Sequence, residues 1–337
     1  MSAEERKDVP KVKSTDVEEN DVQKMSKMFQ DMMKAMMNQA QNKSQSDWEL
    51  ASEPFKTEVE KKQDKFEQQI TKPKDTDKTL TQEVFVTGTF LDKLYLRDDN
   101  QPLNGIPIVG QFGIVGLSGV GKSILVQEIA LRIASSGKHV AFVTSEDIWE
   151  SPNPRLDLQA RMKQKAEKMG LNWETIKQNL FIFDTVANSE LRDWSNFVST
   201  YRYLIESQKG IDLLVVDSLT LMDSYRGSLK YHIQELSRYN QLHGVTGIYV
   251  SQRSEEEYDK FGLAGGMGVA HVLDSVICID FGKASGLLKE DLSMALNKQI
   301  KQWDLVHFAR ILSCRLSGFD RKYIGLTITN DGFLRKL

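Results

Sequence analysis

From residue 81 onward, short apolar runs rich in β-branched side chains alternate with longer stretches in which apolar positions recur at helical spacing. The runs that read as strands are Phe112 to Gly116, His139 to Thr144, Leu180 to Asp184, Ile211 to Asp217, Thr246 to Ser251, Val276 to Phe281, Ala309 to Arg315 and Ile324 to Thr329. The first five alternate with helical stretches, which predicts a parallel sheet. The last three follow one another and predict a closing antiparallel meander. Between Gly282 and Leu305 this meander is interrupted by Leu288, Leu292, Ala295, Leu296, Ile300 and Trp303 at roughly helical spacing, which predicts an extra helix. The expected fold over residues 81–337 is therefore α/β, a mostly parallel central sheet flanked by helices with a C-terminal antiparallel extension.

Residues 1–80 read differently. They contain no strand pattern and many Lys, Glu, Asp and Gln, too little apolar material to bury a core. The expectation is an N-terminal tail, partly helical and otherwise disordered. Within it Val22, Met25, Phe29, Met32, Met33, Met36 and Ala40 fall on one face of an amphipathic helix of about five turns. Methionine packs adaptably, so this face suits a partner's groove or self-association, with folding back onto the chain's own domain as the plain alternative. Residues 56–80 read as a charged linker containing Pro73.

Composition narrows the class. Of 337 residues, 27% are charged and 40% hydrophobic, and no apolar run approaches the roughly 20 residues of a membrane helix. The first residues lack the apolar core of a secretory signal, so a cytoplasmic address without membrane contact is expected. The two cysteines, Cys278 and Cys314, lie in apolar runs and read as buried thiols rather than metal ligands. The net charge of −3 is divided almost evenly between the first 80 residues and the rest, which is not the basic footprint of a dedicated nucleic-acid module.

The strongest chemical signal is Gly116-Leu-Ser-Gly-Val-Gly-Lys-Ser123, set between the apolar Phe112–Val115 and a helical stretch that opens at Ile124. Strand, glycine-rich loop and helix start are what a phosphate-binding loop requires. Glycines let successive backbone N–H groups turn toward a phosphate, and the helix start adds its positive end. Gly116, Ser118, Gly119, Val120, Gly121, Lys122, Ser123 and Ile124 are therefore the predicted nucleotide-binding set. Lys122 would reach the β- and γ-phosphates of ATP, and the Ser123 hydroxyl would ligate Mg²⁺. A second acid-tipped strand, Ile211 to Asp217, ends where an open α/β sheet places its ligands, and makes Asp217 the candidate that holds the Mg²⁺ through a bound water. A third strand ends in the pair Glu146-Asp147, and hydrolysis needs a carboxylate beside the γ-phosphate.

Taken in order, TGTFLDKL (Thr87 to Leu94), NGIPIVGQFGIVGLSGVGKS, VAFVTSED, LLVVDSLTLMDSYRG, GIYVSQRSEEEYDKFG, HVLDSVICID and YIGLTITNDGF resemble a KaiC-type domain of the RecA superfamily of P-loop NTPases, over about 250 residues. The resemblance implies that Glu146 is the hydrolytic base with Asp147 as runner-up, and that Gln252 is the γ-phosphate sensor. It also implies a homo-oligomer, a hexameric ring or filament, because sites of this superfamily are completed by the adjacent subunit. Where the family has Lys-Leu-Arg-Gly, this chain has Arg315-Leu-Ser-Gly318, leaving Arg315 as the matched cation to be supplied in trans. Other departures are instructive. The chain carries one such domain rather than a tandem. The phosphorylated Ser-Thr pair of the clock protein falls at Ala270 and His271, so the autokinase cycle is not expected.

The chain is also similar to the RadA/Sms branch-migration ATPases, although it lacks their four-cysteine zinc module, their protease-like domain and their Lys-Asn-Arg-Phe-Gly motif. The glycine-rich run Gly262 to His271 stands where RecA-type recombinases place a DNA-binding loop. Yet no Lys or Arg occurs between Lys260 and Lys283, and phosphate affinity comes mainly from cations. His271 reads either as a γ-phosphate sensor across an interface or as a packing residue. Three functions are thus in play: an oligomeric KaiC-like ATPase whose nucleotide state controls assembly or partner binding, a RadA-like DNA recombination or repair ATPase binding single-stranded DNA, and an ATP-binding scaffold with negligible turnover docked through its Met-rich helix.

Overall fold

A computed structural model describes residues 83–207, 210–219, 222, 229–252 and 271–337, all within one unit, Thr79–Leu337. The Met-rich segment 22–40, the linker 56–80 and the glycine-rich residues 262–270 lie outside the described residues. Among the described residues no helix is long and apolar enough to cross a membrane.

The central sheet has nine strands: β1 Gln111–Gly116, β2 Val140–Thr144, β3 Leu180–Asp184, β4 Leu213–Asp217, β5 Thr246–Gln252, β6 Ser275–Lys283, β7 Leu305–Cys314, β8 Ile324–Ile328 and β9 Leu334–Lys336. Their order across the sheet is β9-β8-β7-β6-β1-β5-β4-β2-β3. The α-helices among the described residues are α1 Lys122–Ser135, α2 Leu158–Lys168, α3 Trp173–Asn179, α4 Trp194–Ser207, α5 Leu229–Leu242 and α6 Gly286–Leu296.

Every predicted run became a strand, but β6 plays a different part from the one its neighbours suggest. It pairs parallel with β1, Phe112 facing Ser275, and antiparallel with β7, so the parallel portion has six strands and the antiparallel extension starts only at β7. A parallel return needs a crossover of a dozen or more residues, and the long connection between β5 and β6 meets that length without announcing itself by a helical pattern. The three-residue β9 was too short to show a period, and pairs with β8. The inserted helix is real but shorter than the spacing implies. It ends at Asn297, whose left-handed φ of 46° terminates it, leaving Ile300 and Trp303 beyond the helix.

The alternation along the parallel strands sorts the core into two layers. Phe112, Ile114, Phe142, Val215, Ile248 and Ile279 pack with α1, α2 and α3 on one face. Val115, Val143, Leu214, Val216, Tyr249 and Cys278 pack with α4 and α5 on the other. Cys278 is buried, and Cys314 half-buried at the end of β7. Ahead of β1, the turn at Thr87–Asp92 is closed by Asp92, which accepts from the Thr87 amide and hydroxyl and the Gly88 amide.

The end of the sheet remote from the P-loop is locked by a buried polar network. Gln111 gives its side-chain amide to the carbonyls of Val109 and Val245, and its Oε1 accepts from Tyr249 Oη at 2.9 Å and Asn240 Nδ2 at 3.2 Å. Tyr201 Oη donates to Asn240 Oδ1 at 2.8 Å, tying α4 to α5. All four side chains are buried, so each lost partner leaves a desolvated group unpaired. Asn240→Leu should destabilise the fold by about 2–4 kcal/mol, since it orphans the Tyr201 hydroxyl and one lone pair of Gln111; a denaturant titration compared with the milder Tyr201→Phe checks this.

Candidate functional site

The site is built at the C-terminal ends of β1, β2, β4 and β5, and it starts from a close backbone contact. β1 ends at Gly116, where a Cβ atom would lie 1.7 Å from the carbonyl oxygen of Ile279 on β6. No side chain fits there. The loop then returns to α1 through Gly121, whose φ of +90° places it in the region that favours glycine. α1 starts immediately at Lys122 with no side-chain cap, so the backbone N–H groups of its first turn face the cleft without intrahelical partners.

Ser118, Gly119, Gly121, Lys122, Ser123, Ile124, Glu146, Asp217, Val250 and Gln252 line one cleft of about 170 Å³. Of the predicted nucleotide-binding set, Gly116 lies at its root and Val120 turns its side chain into the core. Lys122 folds back, its Nζ donating to the carbonyls of Gly116 at 2.9 Å and Leu117 at 2.6 Å. Ser123 Oγ donates to Asp217 Oδ1 at 3.1 Å. Glu146 Oε1 accepts from Ser218 Oγ at 2.9 Å and Gln252 Nε2 at 3.0 Å, which brings the acids of β2 and β4 and the amide of β5 to one point. Ser218 itself is fixed by Ser145, which accepts from its amide and donates to its carbonyl. The Asp217–Ser218 peptide is cis.

Electrostatics follow from this crowding. Burial, reinforced by Glu146 and Asp147, pushes the Asp217 carboxyl up to about 7, against the opposing pull of the Ser123 hydrogen bond and Lys122. Burial likewise lowers the Lys122 ammonium, while Asp217, Glu146 and Asp280 oppose the shift. A hydroxyl and a carboxylate 3.1 Å apart are hard oxygen donors that suit a small divalent cation.

Two predicted residues stand apart. Asp147 turns away to Arg161, at 2.8 Å, while the Thr144 hydroxyl donates to its carbonyl. Arg315, just past β7, lies at the opposite end of the sheet, where Nη2 donates to the carbonyls of Val272 and Leu273 and reaches Asp274 Oδ1 at 3.3 Å. The parallel strands put roughly 17 Å between the two ends, the five steps from Gln111 to Gly116 along β1 at about 3.3 Å each. Arg315 shares a second cleft, about 660 Å³, with Lys230, Arg238 and an exposed His271. Sequence reasoning missed Ser218, which carried only the signal of following Asp217, and Lys165 of α2, which sits in an otherwise charged helical stretch.

The parallel sheet, the glycine loop and the acids gathered around it define a P-loop ATPase fold. The sequence from residue 77 to 334 matches the family model described as "ATPase: KaiC", and the chain belongs to the KaiC ATPase family. Among solved structures it is similar to the KaiC-like protein PH0186 from the hyperthermophilic archaeon Pyrococcus horikoshii OT3. That match has 17% identity, covers 76% of this chain and 100% of that one, and has a TM-score of 0.53. It is a likeness of fold. No curated protein sequence matches.

Lys165 braces the first turn of α1 from behind, donating to the Ile124 carbonyl at 3.3 Å and Gln127 Oε1 at 3.0 Å. Burial drags its ammonium from 10.5 down to about 8. Between these values the unfolded chain holds more protons than the folded one, so this residue makes stability rise with pH across that window. Denaturant titrations at several pH values should therefore show wild-type stability gaining on Lys165→Met from about pH 8 to 10, with parallel curves below that window.

Proposed function

We propose that the chain is an Mg²⁺-dependent ATPase that works as an oligomer, a hexameric ring or a filament, with each ATP held by one protomer and completed by the next. The observation that carries this reading is the division of the site. Phosphate loop, acids and amide converge on a cleft of about 170 Å³, well below the roughly 300 Å³ at which ligand pockets begin. Arg315 and its neighbouring cations stand at the far end of the same sheet. A cleft sized for phosphates needs a second wall for the rest of the nucleotide, and a neighbour presenting its Arg315 end supplies one.

In this reading Lys122 exchanges its contacts with the Gly116 and Leu117 carbonyls for the β- and γ-phosphates. Backbone amides from Gly119 to Ser123 take the remaining phosphate oxygens. Ser123, with Asp217 acting through a bound water, would hold Mg²⁺, which when bound neutralises charge on the β- and γ-oxygens. Glu146, aimed by Ser218 and Gln252, accepts the proton of the attacking water. Gln252, already bonded to Glu146, senses the γ-phosphate and links its presence to the base. Asp147 is the weaker candidate for the base because Arg161 holds it elsewhere. Arg315 of the adjacent protomer offsets charge in the transition state. Residues 1–80 form a separate region whose Met-rich face takes a protein partner, and nucleotide state sets assembly or that partner's affinity.

Lys122→Ala should abolish ATP binding in a fluorescent-nucleotide titration. Glu146→Gln should bind ATP with about wild-type affinity and lose turnover, because it preserves shape while deleting the base. Turnover that survives Glu146→Gln and is lost in Asp147→Asn would reverse the assignment of the pair. The same assay with single-stranded DNA separates the regulator from a DNA motor: turnover indifferent to DNA is expected here, and strong stimulation would favour the RadA-like reading. Tight binding with no turnover would leave a scaffold.

Arg315→Ala should bind ATP but hydrolyse it about 10³- to 10⁵-fold more slowly, the range for a cation supplied in trans in other phosphoryl-transfer enzymes. Mixing it with Glu146→Gln should restore some turnover, because one mixed interface joins an intact Glu146 to an intact Arg315. Failure to complement at concentrations where assemblies scatter light would remove Arg315 from the mechanism.

A further inference from the structure

One polar contact reaches the phosphate loop from outside the cleft. His307 stands on β7, opposite Phe281 of β6, whose ring lies 4.5 Å from the imidazole at a tilt of 31°. From there Nε2 approaches the backbone carbonyl of Val120 at 3.0 Å. A carbonyl only accepts, so the contact requires the proton on Nε2. Burial depresses the imidazolium, with the Val120 bond and Asp280 opposing the shift, and the neutral Nε2–H form makes the same bond.

Val120 is the last residue before Gly121-Lys122, and its carbonyl shares one rigid trans peptide plane with the Gly121 N–H. The two groups of such a plane point in opposite directions. A carbonyl held toward β7 therefore aims the Gly121 N–H the other way, into the cleft that Gly121, Lys122 and Ser123 line. The plane turns about ψ of Val120 and φ of Gly121, and Gly121, at φ +90°, has no side chain of its own to fix that angle, so an external restraint matters. Such a peptide turns over at little steric cost. Val120 itself is anchored, since its side chain is fully buried, so the open freedom is the orientation of the plane that follows it.

We propose that His307 is a positioning residue for nucleotide binding: its Nε2–H holds the Val120–Gly121 peptide so that the Gly121 amide faces the bound phosphate. The proposal rests on the ATPase reading above and extends the loop's functional perimeter to the antiparallel extension. That extension thereby acts on the site of its own protomer as well as carrying Arg315 at its other end.

The full chain, as wild type and as His307→Leu, His307→Gln and His307→Asn, is titrated with a fluorescent ATP analogue in Mg²⁺, and each is melted without nucleotide. A glutamine amide nitrogen reaches about as far as Nε2, whereas asparagine stops near the position of Nδ1. His307→Leu and His307→Asn should bind about 3- to 10-fold more weakly, the span of one neutral hydrogen bond. His307→Gln should stay within about twofold of wild type, while nucleotide-free melting fails to separate Gln from Asn. If His307→Leu does not fold, the Gln and Asn pair decides alone. Equal affinity for wild type, Gln and Asn overturns the proposal, as does a Gln variant as weak as Asn. A wild-type chain that binds no nucleotide overturns the ATPase reading itself, which keeps the two failures distinct.

Discussion

The candidate site depends on the approach of Gly116 to the carbonyl of Ile279. β1 lies between β5 and β6, and its last residue comes so near the β6 backbone that a methyl group would overlap it, 1.7 Å from the oxygen. Because that approach is possible, the chain leaves the sheet in a tight loop and enters α1 at once. The consequences spread from there. Lys122 bonds back to the Gly116 and Leu117 carbonyls, Ser123 meets Asp217, and the first turn of α1 faces the ends of three neighbouring parallel strands. Without that contact the loop would have to open, and the acids on β2 and β4 would face no phosphate-binding amides.

Around this point the chain gathers opposing needs in little space. Asp217 is buried beside other acids and its proton affinity rises accordingly, while Lys122 is buried beside carbonyls and its own falls. A triphosphate with a divalent cation would bring negative charge to Lys122 and positive charge to Asp217, each favouring the charged form that burial disfavours. Glu146 and its neighbour Asp147 are held apart by what surrounds them: Ser218 and Gln252 hold the first over the cleft, and Arg161 draws the second away.

The antiparallel extension is more than a cover for the sheet edge. β6 belongs to both halves, parallel to β1 and antiparallel to β7, and through it the extension reaches both ends of the domain. At one end β7 carries His307 to the phosphate loop, and just beyond its other end stands Arg315. A single ten-residue strand thus connects the site of one protomer with the surface proposed to serve the next, and rigid strand geometry is suited to passing such a constraint.

Much of this was legible beforehand. The alternation of apolar runs and helical stretches determined the α/β class, because the periods of buried strand and amphipathic helix are set by local backbone geometry. The loop from Gly116 to Ser123 and the acid ending β4 were legible for the same reason: their chemistry is carried by adjacent residues. Local pattern overran where one residue decided against it, as at Asn297, and fell silent where an element was as short as β9. What only the tertiary structure decided is which distant residues share a point. The parallel pairing of β6, the separation of Glu146 from Asp147, the help of Ser218, Lys165 behind α1, His307 on Val120 and Arg315 at the far end all depend on contacts between residues many positions apart. No spacing in the sequence encodes them, because burial, hydrogen bonding and charge act through space once the sheet order is set.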